Sequence, residues 1–131
     1  EGFARACVAS FCLPLNPSIE VITDIKTAVS EAVTNCVVHA YPNKVGDVEI
    51  LVRLNNNQIY ISIKDYGVGI SDVLKAKEPF YTSKPDSERS GMGFTVMESF
   101  MDSVVVNSEV NKGTEVVLVK NLEDNKLAVG G

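Results

Sequence analysis

A change of hydrophobic period at Pro42 constrains this chain more than any other feature. Ahead of it, apolar residues fall at Ile22, Ile25, Val29, Ala32, Val33, Cys36, Val37 and Ala40, the three-and-four spacing of an amphipathic helix. Beyond the loop Asn43-Lys44-Val45-Gly46 the period is two. Val48, Ile50, Val52 and Leu54 alternate with Glu49, Leu51 and Arg53, and Ile59, Ile61 and Ile63 alternate with Tyr60, Ser62 and Lys64. Asn55-Asn56-Asn57 supplies the turn between the two runs, since Asn tolerates positive φ. The pattern therefore predicts a helix over 18–41 feeding a β-hairpin. Asn16 is expected to cap the helix, with Pro17 in the first helical position, where a missing N–H does no harm, and Pro42 ending it.

The flanking segments extend this plan. Residues 2–13 carry Phe3, Ala6, Cys7, Phe11 and Cys12 at helical spacing. Residues 77–90 show no period, and segments of that length are usually lids, binding loops or disordered. A helix is expected from Gly91-Met92-Gly93 to about Met101, with Val96, Met97, Phe100 and Met101 on its apolar side. Ser103–Val110 and Thr114–Lys120 read as strands joined by Asn111-Lys112-Gly113. The polar tail 121–131 is expected to fray. The order implies one α+β domain over 1–131, with helices on one face of a mainly antiparallel sheet.

Seventeen acids against twelve bases leave a net charge of −5, which disfavours a nucleic-acid binder built on clustered cations. Apolar residues are too dispersed for a membrane span. Cys7, Cys12 and Cys36 lack C-x-x-C spacing, and the single His39 completes no metal cluster, so the thiols read as reduced core residues of a cytoplasmic protein. No signal peptide is visible. The chain starts at Glu1 without an initiator methionine and enters a helical pattern at once, so further residues are expected upstream.

The polar residues carry the chemistry. Glu31 and Asn35 stand one turn apart on the polar side of the long helix, bordered by Thr27, Thr34 and Val38, a short-chained border suited to a cleft. Asp65 closes the hairpin's second strand, where a carboxylate can accept a hydrogen bond from an exocyclic amine such as that of adenine. Gly67 and Gly69 let the backbone bend and a ligand approach closely. Gly91-Met92-Gly93 opens a helix whose first N–H groups form an anion site. Lys84 and Arg89 can face phosphates, and the Thr114 hydroxyl can reach a ligand through water or simply belong to a strand. Arg5, the only charge in the first helix, is either a surface residue or a partner contact. Each motif alone is commonplace: a solvated helix face, an ordinary turn. In this order and spacing they read as a site for ATP and a divalent metal. There is no Walker loop, no Ser/His/Asp order and no zinc spacing.

Glu31-x-x-x-Asn35, Asp65-x-Gly67-x-Gly69, Gly91-Met92-Gly93-Phe94 and Gly113-Thr114 resemble, in order, the four nucleotide-binding boxes of the GHKL ATPase/kinase superfamily. Within it the chain is most similar to the serine-kinase anti-sigma factors, the anti-sigma-F group of endospore-forming bacteria in particular. The likeness runs from Phe3 to about Val119. It implies a Bergerat-type α/β sandwich with ATP or ADP held under a mobile lid. By position, Asn35 would bind Mg²⁺, Asp65 would receive the adenine amine, Gly69 and Thr114 would complete the base pocket, and Gly67 would also bind nucleotide. Ser90, Gly91, Met92, Gly93 and Phe94 would wrap the phosphates, with Lys84 and Arg89 in the lid. Glu31 would be the general base toward a substrate serine. The implied partners are a sigma factor of the sigma-F type, an anti-anti-sigma protein as phosphorylation substrate, and a second copy of the chain, with Arg5 on the docking surface. His39-Ala40 replaces the His-Gly of many relatives, and the strand that relatives place before this point, part of their dimer surface, does not precede Glu1. The resemblance leaves open a general stress-response switch kinase with the same chemistry. It also leaves open a module that sequesters sigma without turnover.

Overall fold

The computed structural model describes residues 2–41, 45–55, 57–77 and 93–122. Helix α1 spans Gly2–Cys12, and a 3-10 turn, Leu13–Leu15, leads to α2, Ile19–Asn35, which continues as a π-helical turn over Cys36–Ala40. Strands β1, Val48–Asn55, and β2, Gln58–Asp65, follow, then the short α3, Val73–Ala76. Helix α4, Gly93–Phe100, precedes β3, Ser103–Glu109, and β4, Gly113–Asn121.

The sheet is fully antiparallel with order β1-β2-β4-β3. Its helix-facing side is fixed by the period-two runs. Ile59, Ile61 and Ile63 of β2 and Val116 and Leu118 of β4 are buried with Ile25, Ala28, Val29, Ala32 and Val33 of α2 and Phe94 and Met97 of α4. The small Ala28 and Ala32 let α2 lie close to its neighbours, and α1 adds Val8 and Cys12 to the same core. The α+β architecture with helices on one face matches the expectation. The register also sets the end of the sheet that matters here: Asp65 lies opposite Thr114, and Thr114 opposite Ser108.

Several local expectations are corrected. Asn16 is not the α2 cap. It adopts φ 51°, in the left-handed region that asparagine tolerates, and closes the 3-10 turn through its N–H to Leu13 O at 2.8 Å. Ser18 caps instead, its Oγ accepting from Val21 N–H at 3.1 Å. On α1 the buried row is Val8 and Cys12, with Ala4 packed beside it, while Phe3, Cys7 and Phe11 are exposed. The i, i+4 row of small side chains permits a closer approach to α2 than the phenylalanines would. Cys7 is therefore no core thiol. Strand β1 is an edge, so Ile50 and Leu51 are partly exposed and its alternation is weak. The hairpin connection is two residues, Asn55 pairing with Gln58. β4 runs through Asn121, and Leu122 is buried with its N–H on Asn57 O at 2.6 Å, so these two residues do not fray as expected; 123–131 lie outside the described residues.

Ile61 has no solvent exposure and sits on a central strand. Ile61→Ala is expected to lower unfolding free energy by about 2–5 kcal/mol. Urea unfolding followed by circular dichroism checks this, and a loss well under 1 kcal/mol would contradict the packing described.

Candidate functional site

Two groups of polar residues converge on the end of the sheet where β2 and β4 meet. The first belongs to the last turn of α2, where Glu31 and Asn35 are half-buried. Helix α4 begins against them. A Cβ built on Gly93 would stand 3.3 Å from both amide atoms of Asn35 and 3.4 Å from Glu31 Oε2. Glycine here lets the first turn of α4, with its free N–H groups and positive dipole end, close over a carboxylate and a carboxamide. Hard oxygen donors of this kind suit Mg²⁺, which commonly takes one or two side chains together with substrate phosphates. The residues present therefore fit a magnesium nucleotide.

The second group is built on Asp65, only 4% exposed. Its Oδ1 accepts from Gly67 N–H at 3.0 Å and Thr114 N–H at 3.2 Å, which compensates the burial of a carboxylate. The Thr114 hydroxyl lies 2.7 Å from Ser108 Oγ, which also accepts from Ile70 N–H at 2.7 Å. Gly67 and Gly69 were expected to admit a ligand; what lies against them is the chain itself. A Cβ on Gly67 would strike Ala40 O, and one on Gly69, at φ 77°, would strike Glu109 O. Gly113, at φ 121°, is needed for the same reason against Asp65 O.

A π-helical turn joins the two groups, a feature often found at functional sites. It starts directly after Asn35, and its last carbonyl, Ala40 O, accepts Val68 N–H at 3.1 Å. Cys36, the first residue of the turn, hydrogen-bonds Asp65 through its thiol. Buried Tyr41 then donates its hydroxyl to Asp47 O at 2.6 Å and accepts Tyr66 N–H at 2.7 Å, clamping the peptide beside Asp65.

Of the expected site residues, Glu31, Asn35 and Gly93 come together, as do Asp65, Gly67, Gly69 and Thr114. Phe94 is buried beside Met97 in the core, so only its backbone is available to a ligand. Arg5 is exposed on α1. Lys84, Arg89, Ser90, Gly91 and Met92 lie outside the described residues. Cys36, a core thiol by its spacing, and Tyr41 and Ser108 are not among the expected site residues. Ser108 could have been found from the β3–β4 turn, which sets it opposite Thr114. Nothing in the sequence signalled the π-turn.

Burial raises the thiol of Cys12 from 9.0 to about 11, and burial together with the Asp65 charge raises that of Cys36 to about 12. Exposed Cys7 alone should react promptly with an aromatic disulfide at pH 8, the other two only on unfolding. Unfolded thiols ionise near 9.0 while the folded ones resist, so stability is intact below that pH and falls as pH climbs toward 12. Timed thiol titration checks the first point; three equal rates would contradict the burial.

The histidine kinase-like ATPase domain family matches residues 3–120. The anti-sigma F factor of Clostridium acetobutylicum is 54% identical over 120 residues, covering 92% of this chain and 84% of that protein. The anti-sigma F factor of Geobacillus kaustophilus is 50% identical over 127 residues, covering 96% and 87%. Among solved structures, the histidine kinase domain of the Erythrobacter litoralis blue-light activated histidine kinase aligns with a TM-score of 0.61 at 20% identity, over 85% of this chain and 49% of that one, about half its length. The mycobacterial sensor histidine kinase MprB aligns at 0.60 and 19% identity, over 76% and 71%. At such identities the structures show the fold alone. From the extent of the sequence matches, the chain belongs to the histidine kinase-like ATPase family and, within it, to the anti-sigma F factors.

Proposed function

We propose that the chain is a serine protein kinase that doubles as an anti-sigma factor in the cytoplasm of a spore-forming bacterium. Bound to ATP and Mg²⁺ it holds a sigma factor of the sigma-F type. It phosphorylates a serine of the anti-anti-sigma protein and so releases that protein, and with ADP it favours the unphosphorylated form. It works as a homodimer. The observation that carries the reading is the placing of Glu31 and Asn35 against Gly93, at the start of α4. A module that only binds nucleotide has no use for a carboxylate there.

The roles follow from chemistry. Asp65 accepts the adenine amine, with Thr114 and the Gly67–Gly69 bend around it. Asn35 is the metal's protein ligand, and Mg²⁺ when bound neutralises charge on the phosphates. The N–H groups from Ser90 to Phe94 receive phosphate oxygens, and Lys84 and Arg89 add positive charge. Glu31 takes the proton of the substrate serine as its oxygen bonds to the γ-phosphorus and the bond to the bridging oxygen breaks, releasing ADP. Arg5 on α1 contacts the protein partners.

General-base catalysis is typically worth about 10²–10⁴-fold. Glu31→Ala should therefore slow phosphate transfer from Mg-ATP to an anti-anti-sigma protein by that order and leave ATP affinity within a few-fold. Labelled-phosphate transfer and calorimetry measure the two separately. Undiminished transfer would remove Glu31 from its role, while no transfer by the unmodified chain to any such protein would favour sequestration without turnover. Asn35→Ala should weaken nucleotide binding mainly in the presence of magnesium, seen by titrating ATP with and without a chelator.

A further inference from the structure

Among the described residues, the base end of the proposed site brings together one group that only accepts hydrogen bonds, Asp65, and one hydroxyl, Thr114, whose proton can point either way. Its neighbour Ser108 decides the direction. Ser108 lies on edge strand β3, opposite Thr114. Its Oγ stands 2.7 Å from Ile70 N, 3.1 Å from Gly113 O and 2.7 Å from Thr114 Oγ1. The Ile70 N–H can only donate, and the Gly113 carbonyl can only accept. A serine hydroxyl has one proton and two lone pairs.

Only one arrangement makes all three contacts hydrogen bonds. Ser108 gives its proton to Gly113 O and receives protons from Ile70 N–H and from the Thr114 hydroxyl. In the reverse arrangement Ser108 donates to Thr114, and its lone pair then faces the Gly113 oxygen with no proton between them. The first arrangement commits the Thr114 proton inward and leaves only lone pairs on Thr114 Oγ1. Thr114 N–H is likewise committed, to Asp65 Oδ1.

We infer that Ser108 is a positioning residue that sets base specificity: by taking the Thr114 proton it leaves both Asp65 and the Thr114 hydroxyl as acceptors at the base end of the site. Such an end takes a purine with an amine at its six position and rejects one with a carbonyl there, whose oxygen would meet lone pairs. A water bridging to the six position transmits the same preference there, because with its protons turned toward Asp65 and Thr114 it offers lone pairs to that group. The inference rests on the nucleotide reading above and adds to it a residue outside the recognised motifs.

ATP and inosine triphosphate, which differ in the group at the six position and in the proton that the carbonyl form carries on N1, separate the possibilities. Both are titrated with magnesium into the full chain and its variants by calorimetry. The unmodified chain should prefer ATP, and Ser108→Ala should cut the ratio of the two affinities roughly tenfold, within the range a well-placed polar pair discriminates. Ser108→Thr, which keeps the hydroxyl, should keep the ratio. Ser108→Cys, nearly isosteric but with a poorly accepting sulfur, gives the same readout as alanine if that variant does not fold. A purely structural role would weaken both nucleotides alike and leave the ratio untouched, and an unchanged ratio in the alanine and cysteine variants overturns the inference while the nucleotide reading stands. Failure of the unmodified chain to bind ATP overturns both.

Discussion

A carboxylate with 4% exposure at the end of a β-strand is the constraint around which this fold is arranged. An unpartnered charge there would be costly, so Asp65 must be met by donors that do not move. Two backbone N–H groups meet it, from Gly67 in the bend after β2 and from Thr114 in the next strand. Both depend on glycines. Gly67 lets the bend press on Ala40, and Gly113 at φ 121° lets β4 begin directly against the carbonyl of Asp65. The acid is held by the backbone of two strands and keeps a fixed position in the sheet.

The helical layer is tied to that point by the π-turn. Cys36–Ala40 carries the chain from Asn35 to a carbonyl that holds Val68 N–H, and Tyr41 locks the neighbouring peptide to Asp47. Glu31 and Asn35, one turn earlier, thereby stand in a fixed relation to Asp65, as the proposed nucleotide site requires. Helix α4 completes the relation from the other side, because Gly93 adds no side chain between its first turn and those two residues. Rigid positioning of this kind is what phosphoryl transfer asks of a protein, since most of its catalysis is placement and charge neutralisation.

Much of this was legible in the sequence. The period change at Pro42 gave the helix and the hairpin, because one buried face on each leaves a repeat that sequence displays directly. The acid, the carboxamide and the spaced glycines were visible as motifs. Hidden were features decided by tertiary contact. Residues Phe3 and Phe11 look like a core stripe, yet the smaller Val8 and Cys12 pack closer. Asn16 and Ser18 are both good caps, and only the fold shows that Asn16 closes the preceding 3-10 turn while Ser18 caps α2. The glycines were recognised as places of close approach, but sequence cannot say whether a ligand or the chain's own backbone approaches. The π-turn and Tyr41 act through partners as far as 28 and 25 residues away, and the contact of Ser108 with Ile70 spans 38, beyond any local pattern, although the β3–β4 turn alone sets Ser108 opposite Thr114.

The central claim is that one cleft holds the base against Asp65 and the phosphates against Asn35 and the start of α4. A crystal structure of the chain with magnesium and a non-hydrolysable ATP analogue tests it most directly. The account predicts the adenine amine within hydrogen-bond reach of Asp65, a metal on Asn35 Oδ1, and Glu31 Oε2 facing the γ-phosphate from the side open to an incoming hydroxyl. A nucleotide bound elsewhere, or with its base at Glu31 and its phosphates at Asp65, would contradict it.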